Sequence, residues 1–326
     1  MGQLIKLQDY ISRYEQDIFT YPSRFVRLKK QQWERTRTNW ENEGVDAANL
    51  SFPQSLLEWE EENENDKPAF FKKLTGLFKH NQKKNNQDIN QVFPTPSEED
   101  PLEFTASFSY MPETIDELKR QFLDQLYRFQ LKWASSTVLE KSFIHSKYYF
   151  EENLKFFLQR FPDTFLVLYR PVFLLKKAPI EVEVILLTPT DAWCITFVEE
   201  EDSAVFVGSS ERFWLKRTNK EEKKILNPML TLNRTERIVR NIFKMHEIDF
   251  PIHKLLVSRN GYIDYPSAPV DIEIAEARNF EQWFQLMRSL KSPLKHTQLK
   301  GARVLLQYCQ TTSNIRAEWG IVEKDE

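Results

Sequence analysis

Glycine is scarce, with seven in 326 residues, and none of them falls in a G-x-G-x-x-G or G-x-x-x-x-G-K arrangement. Loops that cradle a dinucleotide or a triphosphate on glycine backbone are therefore excluded. The two cysteines, Cys194 and Cys309, make neither a disulfide framework nor a four-cysteine zinc site, which fits a reducing compartment and a cytoplasmic protein. His80, His145, His246, His253 and His296 are scattered, without the H-E-x-x-H pair that holds zinc on a helix face. No apolar run reaches the roughly 18 residues of a transmembrane segment, and Met1 to Thr20 mixes charged and apolar residues where a signal peptide would be apolar. The formal net charge of -3 excludes a uniformly cationic surface, so any contact with nucleic acid must come from a local patch.

What is present is a globular composition, 41% hydrophobic and 29% charged, long enough for one sizeable core with an N-terminal extension. Leu4, Leu7, Ile11, Tyr14 and Ile18 alternate steps of three and four, the spacing of an amphipathic helix. A second, basic helix follows from Arg24 to Trp40, with Val26, Trp33 and Trp40 on one stripe. Residues 1–40 thus read as a helical arm that packs on the main domain, or that grips a partner helix or a phosphate backbone.

From 41 to 112 the pattern gives way to Asn, Glu, Lys and six prolines, a polar and largely flexible linker by composition. Within it six acids between Glu58 and Asp66 precede six lysines between Lys67 and Lys84. Phe70, Phe71, Leu74, Leu77 and Phe78 are helically spaced, so 67–80 reads as a short basic amphipathic helix. Such a helix suits an anionic membrane surface, a protein partner's groove, the acidic run beside it or an apolar patch of its own domain.

Order resumes at 113 and runs to 326. Thr114 and Glu117 make a capping box before an apolar stripe of Ile115, Leu118, Phe122, Leu126, Phe129 and Trp133. A helix containing Glu151 and Glu152 should run to about Arg160, and a strand from Phe165 to Leu175 is interrupted by Pro171. Glu181 to Val198 reads as a β-hairpin, two apolar runs around Thr-Pro-Thr-Asp, with the Glu181 and Glu183 carboxylates on one face by period-2 spacing. A second strand pair around Val205–Gly208 and Phe213–Leu215, a helix capped by Asn227-Pro228, a strand at Leu255–Val257, a helix from Phe280 to Leu290 and a last strand or packed segment from Arg303 to Tyr308 complete an α/β (α+β) order.

Between about 149 and 290 several sparse features fall in a particular sequence: Phe150-Glu151 with Leu154 and Leu158, Glu181-Val182-Glu183, a turn at Pro189–Asp191, Thr196-Phe197-Val198, then Gly208, Trp214 and Asn227-Pro228. In these the chain resembles the nuclease-related domain (NERD) family, whose fold is similar to the restriction-endonuclease-like core. The resemblance implies a central mixed sheet flanked by helices. It also implies a site in which the family's Gly-Glu, Glu-Ile-Asp and Glu-x-Lys correspond to Phe150-Glu151, Glu181-Val182-Glu183 and Thr196-Phe197-Val198, with Thr231 where a glutamine is usual. Such nucleases hold Mg²⁺ on two or three carboxylates and use a lysine beside the attacking water. Thr196 supplies only a hydroxyl and Val198 nothing.

The resemblance therefore implies a degenerate site at Glu151, Glu183, Thr196 and Val198, with no catalytic residue, bound metal or cofactor. The expected protein is a pseudo-nuclease that persists as a binding or scaffolding module. Nucleic acid would be met through Lys216, Arg217, Arg234, Arg237 and Arg240, in a stretch from Glu211 to Lys244 where bases outnumber acids ten to four; the competing reading of these charges is a solvated face. Two further readings stand beside it: an Mg²⁺-dependent nuclease with displaced carboxylates, in which a strand slip brings Glu199 and Glu201 into the site, and an adaptor that recruits a protein or membrane through its N-terminal region.

Overall fold

Gln3–Leu7 is an extended strand, β1, and helix is confined in this region to the single turn α1, Arg13–Gln16. The helix expected through Leu4 and Ile18 is thus corrected. Leu4, Ile5 and Leu7 are all fully buried, and a strand covered on both faces has no alternation to separate it from a helical stripe. Gln8, at φ 43°, turns the chain out of the strand. The first residues consequently belong to the main body, and of the expected arm only α2, Tyr21–Asn42, is a long helix. The computed structural model describes residues 1–42, 104, 106, 112–175, 178–200, 204–219 and 221–315; the expected basic helix at 67–80, and most of the linker at 41–112, lie outside the described residues.

Helix α3, Ile115–Ala134, buries Leu118, Phe122, Leu126, Phe129 and Trp133 as the spacing predicts. Its N-terminus is closed by the Thr114 hydroxyl, which accepts from the Glu117 amide at 3.2 Å. The strand β2, Glu140–Lys141, and a 3₁₀ turn, Ser146–Tyr149, follow. Helix α4, Glu152–Arg160, begins one residue after Glu151, which stands outside it as the N-cap. Then come β3, Leu166–Tyr169, and the hairpin of β4, Val172–Leu175, with β5, Ala178–Glu181. The central hairpin is β6, Val184–Leu187, and β7, Ala192–Phe197, paired with Val184 opposite Ile195. Its turn is held by the Thr188 hydroxyl, which accepts from the amides of Thr190 and Asp191.

Beyond it lie β8, Val205–Val207, β9, Phe213–Arg217, and β10, Glu222–Leu226, followed by α5, Pro228–Met245. The Asn227 side chain caps α5 through Met229 N at 2.9 Å. The remaining elements are β11, Ile252–Ser258, β12, Tyr262–Asp264, β13, Ile272–Glu276, α6, Phe280–Ser289, α7, His296–Gln307, and β14, Asn314–Ile315, which pairs with β2. Arg303–Tyr308, expected as a last strand or packed segment, is the end of α7 and its C-cap: Leu299, Ala302, Leu305 and Leu306 give the helix a buried stripe three and four apart.

The architecture is mixed α/β. A six-stranded sheet in the order β1-β3-β6-β7-β11-β13 combines antiparallel pairs around β6 with parallel pairs at both margins. Helix α5 packs on β7 and β11, and α7 packs on α5. On the other face α4 and α6 meet through Phe156, Phe161, Phe280 and Phe284, whose ring centroids lie 5.1–6.0 Å apart in the pairs they form. Burying such a ring contributes about 1.5–3 kcal/mol before ordering costs, which is why this aromatic layer dominates the core. A smaller four-stranded sheet, β10-β9-β8-β12, follows the end of β7.

Gly208, Trp214 and Asn227, scattered in sequence, form one corner between the small sheet and α5. Trp214 Nε1 donates to Ser209 O at 2.9 Å, and Asn227 Nδ2 donates to Ser209 O and Glu211 O. Tyr265 packs its ring 4.9 Å from that of Trp214 and covers Gly208, where any Cβ would fall within 2.8 Å of the Tyr265 side chain.

Candidate functional site

The functional candidates gather where β6 begins and β7 ends. The antiparallel register that sets Val184 opposite Ile195 brings Glu183 beside Thr196, one residue before β6 is formally paired. The Glu183 carboxyl is mostly withdrawn from water, and this burial raises its pKa above the ordinary carboxylate value. The Phe197 amide, the Thr196 hydroxyl and the nearby Arg170 and Arg234 charges only partly oppose that shift. Thr196 Oγ1 is buried and makes no hydrogen bond of ordinary length, so its hold on Glu183 is weak. Val198 is buried and points no functional group anywhere.

Glu181 does not accompany Glu183, contrary to the shared face expected. It ends β5, opposite Val172, and lies exposed in an ion pair with Arg170 at 2.9 Å. The chain leaves one hairpin and enters another at Val182–Glu183, so the period-2 rule has no continuous strand to act on. Arg170 is the hinge of this crossing: it adopts φ 49°, and its amide donates to Glu183 O at 2.7 Å.

Glu151 stands against a layer of tyrosines. Its charge reaches Tyr169, whose pKa is raised by burial first and by Glu151 second. Tyr127 donates its hydroxyl to Tyr148 O, and the Tyr148 hydroxyl is itself buried with no partner. Burial also raises the pKa values of Tyr127 and Tyr148, with Glu151 adding to both.

Sheet register separates this carboxylate from Glu183. Tyr169 pairs with Val184 and so shares the α4 side with Phe197, which packs on Phe157; Thr196 shares the α5 side with Cys194, which feels the charges of Glu236 and Arg240. Glu151 and Glu183 therefore occupy the same end of the sheet on different faces.

Glu199, the carboxylate that a slipped strand would deliver, is already engaged. Arg259 grips it with Nε to Oε1 and Nη2 to Oε2, both at 2.7 Å, and with its own amide at 2.9 Å; Arg259 also reaches Asn153 Oδ1. The described strand is not slipped: Thr196 pairs with Leu256 of β11, the Val198 amide donates to Val257 O at 2.8 Å, and a salt bridge neutralises Glu199, while Glu201 lies outside the described residues. Among the described residues no three His, Cys, Asp or Glu side chains come together so as to hold a metal ion. Glu151 lies among tyrosines, Glu183 is on the other face of the sheet and Glu199 is paired with Arg259, so these three carboxylates do not converge on one Mg²⁺ position.

The expected basic face divides. Lys216 is buried and paired with Glu200 at 2.7 Å, so it is not a phosphate contact. Arg217 is exposed but paired with Glu222, and Arg240 with Glu236. Arg234 and Arg237, one turn apart on α5, are exposed, and Arg234 is the one whose charge reaches Glu183. His253 stacks on Trp193 at 4.6 Å and meets Asp191 at 3.2 Å, at the opposite end of β7. Sequence reading missed Tyr127, Tyr148, Tyr169, Arg170 and Arg259. Isolated tyrosines and arginines carry no spacing signal, and Arg259 joins Glu199 only because β11 lies parallel beside β7. No helix among the described residues is long and apolar enough to cross a membrane.

No family model matches the chain, and no solved structure matches it. Among curated proteins, an RNA 2',3'-cyclic phosphodiesterase from Geobacillus stearothermophilus is 37% identical over 134 residues. The match covers 40% of this chain and 36% of that protein, so the chain is matched to only about a third of the relative's length. The relative is named for a phosphodiesterase activity on RNA, and this overturns the expectation of an inactive pseudo-nuclease scaffold.

Proposed function

We propose that the chain is an RNA-acting phosphodiesterase whose reaction centre lies at Glu183, on a sheet of restriction-endonuclease-like, NERD-like type. The observation that carries this reading is the 37% identity to the RNA 2',3'-cyclic phosphodiesterase; the surroundings of Glu183 support the choice of residue. Opening a 2',3'-cyclic phosphate consumes one water. The water oxygen bonds to phosphorus as the bond from phosphorus to the 2'- or 3'-oxygen breaks, and a proton passes from the water to the departing oxygen.

A carboxyl whose pKa is raised by burial suits that transfer, because it holds a proton more readily than a solvated carboxylate and can still return it. Glu183 takes the proton from the attacking water and gives it to the leaving oxygen. Arg234, exposed and close enough to act on Glu183 electrostatically, offsets charge on the phosphoryl oxygens. Arg237 extends that cationic edge along α5 and meets the next phosphate.

The test is a short RNA ending in a 2',3'-cyclic phosphate, incubated with the purified chain and followed by mass spectrometry and by sensitivity of the product to phosphatase. The expected product is the water-added monoester. Glu183→Gln should remove turnover, and Arg234→Glu with Arg237→Glu should raise KM and flatten its dependence on salt. An intact ring after prolonged incubation, or turnover unchanged in Glu183→Gln, overturns the reading.

A further inference from the structure

The small sheet buries only one of its faces. Phe206, Trp214, Lys216 and Ile263 point inward and are buried, whereas the residues alternating with them point to solvent. Register aligns Tyr262, Val205, Arg217 and Glu222 in one row across the four strands and Asp264, Val207, Leu215 and Lys224 in the next, while Phe213 and Leu226 stand opposite each other in a third. Tyr262 is 38% exposed, Phe213 48% and Leu226 53%, large values for residues that gain by leaving water.

Each exposed ring has an arginine beside it. Arg278 lies over Tyr262 at 5.3 Å and Arg212 over Phe213 at 5.7 Å. The face carries Arg212, Arg217, Lys224 and Arg278 against the exposed carboxylates Glu222 and Asp264. Arg217 pairs with Glu222 and Arg278 with the mostly buried Glu276, whereas Arg212 and Lys224 have no ion-pair partner among the described residues. Two inter-strand spacings and four residues separate the rings, roughly 16 Å at ordinary sheet spacing, a span that a few nucleotides of extended strand bridge.

We propose that this face is the platform on which the chain holds single-stranded RNA, with bases stacked on Tyr262 and Phe213 and phosphates met by Arg212 and Lys224; the choice of RNA rests on the function proposed above. Rings presented on an open sheet can stack only on bases whose faces are free, and a duplex hides those faces inside its own stack. Stacking of this kind tolerates any base, so the platform confers preference for strandedness and little for sequence. The face also begins close to the proposed reaction centre, since β8 follows β7 directly in the chain and Lys216, on the covered side of β9, is tied to Glu200 just past the end of β7.

The test is fluorescence anisotropy of the full chain with a labelled twelve-nucleotide pyrimidine RNA, alone or annealed to its complement, at low and moderate salt. The single strand should bind at least tenfold more tightly than the duplex. Phe213→Ala and Tyr262→Ala should each weaken it about 5- to 150-fold, as stacking worth about 1–3 kcal/mol per base implies. Phe213→Trp should retain binding and show quenching of the new indole on addition of RNA. Equal affinity for the duplex, or wild-type affinity in the Phe213→Ala, Tyr262→Ala double variant, overturns the proposal. Because binding is read without turnover, it stands or falls separately from ring opening. A 2',3'-cyclic mononucleotide, too short to bridge the rings, tests the reaction centre alone.

Discussion

Arg259 and Glu199 meet as a two-pronged pair, Nε to Oε1 and Nη2 to Oε2 at 2.7 Å, sixty residues apart in sequence and adjacent only because β11 runs parallel to β7. Both side chains retain some exposure, 26% and 17%, so the pair is worth less than a fully buried one and more than a surface one. Glu199→Ala should lower unfolding stability by about 2–3 kcal/mol, because it strands the guanidinium and an amide donor together. Adding Arg259→Met should recover part of that loss. Urea denaturation of the two variants checks this; a Glu199→Ala midpoint equal to wild type would show that the pair contributes nothing.

Glu183 makes stability depend on pH. Burial holds its folded-state pKa above the ordinary value of 4.5, so between that value and the raised one the folded state binds more protons than the unfolded state. Stability from this group is therefore complete below about pH 4.5 and is lost as pH rises through the folded pKa. Glu183→Gln removes the titration, and its Tm relative to wild type should climb from pH 4.5 to pH 8. A constant difference across that range would place the carboxyl in solvent.

Gly208 is required by a close approach, since its φ is not positive. A Cβ there would lie 2.6 Å from Tyr265 Cγ, and Tyr265 is held in turn by Trp214. Gly208→Ala should cost about 1–3 kcal/mol through displacement of that ring. Near-ultraviolet circular dichroism, which reports the Trp214 environment, should change with it. An unchanged spectrum and midpoint would mean that the ring yields freely.

Both thiols should be inert in the folded protein. Burial pushes Cys309 up to about 12 and raises Cys194 as well, and alkylation proceeds through the thiolate. Iodoacetamide at pH 8 should label neither residue until denaturant is added, when both react. Rapid labelling of either in the native protein would contradict the burial described.

Much of the fold could be read from local pattern. The Thr188–Asp191 turn between two apolar runs, the Asn227-Pro228 start of α5, the Thr114 cap of α3 and the helix beginning at Phe280 are all set by residues a few positions apart, and each stands where the sequence puts it. Pattern failed where a segment is buried on both sides. Leu4 and Leu7 pass for a helix because nothing in five residues reveals that Leu4 pairs with Val167 of a strand far along the chain. It left Arg303–Tyr308 open between a strand and a packed segment, because a short apolar run suits strand and helix equally; the run is packed, as helix.

At the site the division has the same physical origin. Sequence alone determined that Thr196 and Val198 carry no carboxylate and no cation; register pairs Thr196 with Leu256 of β11 and sets the Val198 amide on Val257 O. Only the tertiary structure decided what the ionisable groups can do. It withdrew Glu183 from water, gave Glu199 to Arg259, buried Lys216 against Glu200, and left Arg234 and Arg237 facing solvent. A residue's chemical type is local information, whereas its pKa and its free valence depend on desolvation and on charges brought close by strands distant in the chain.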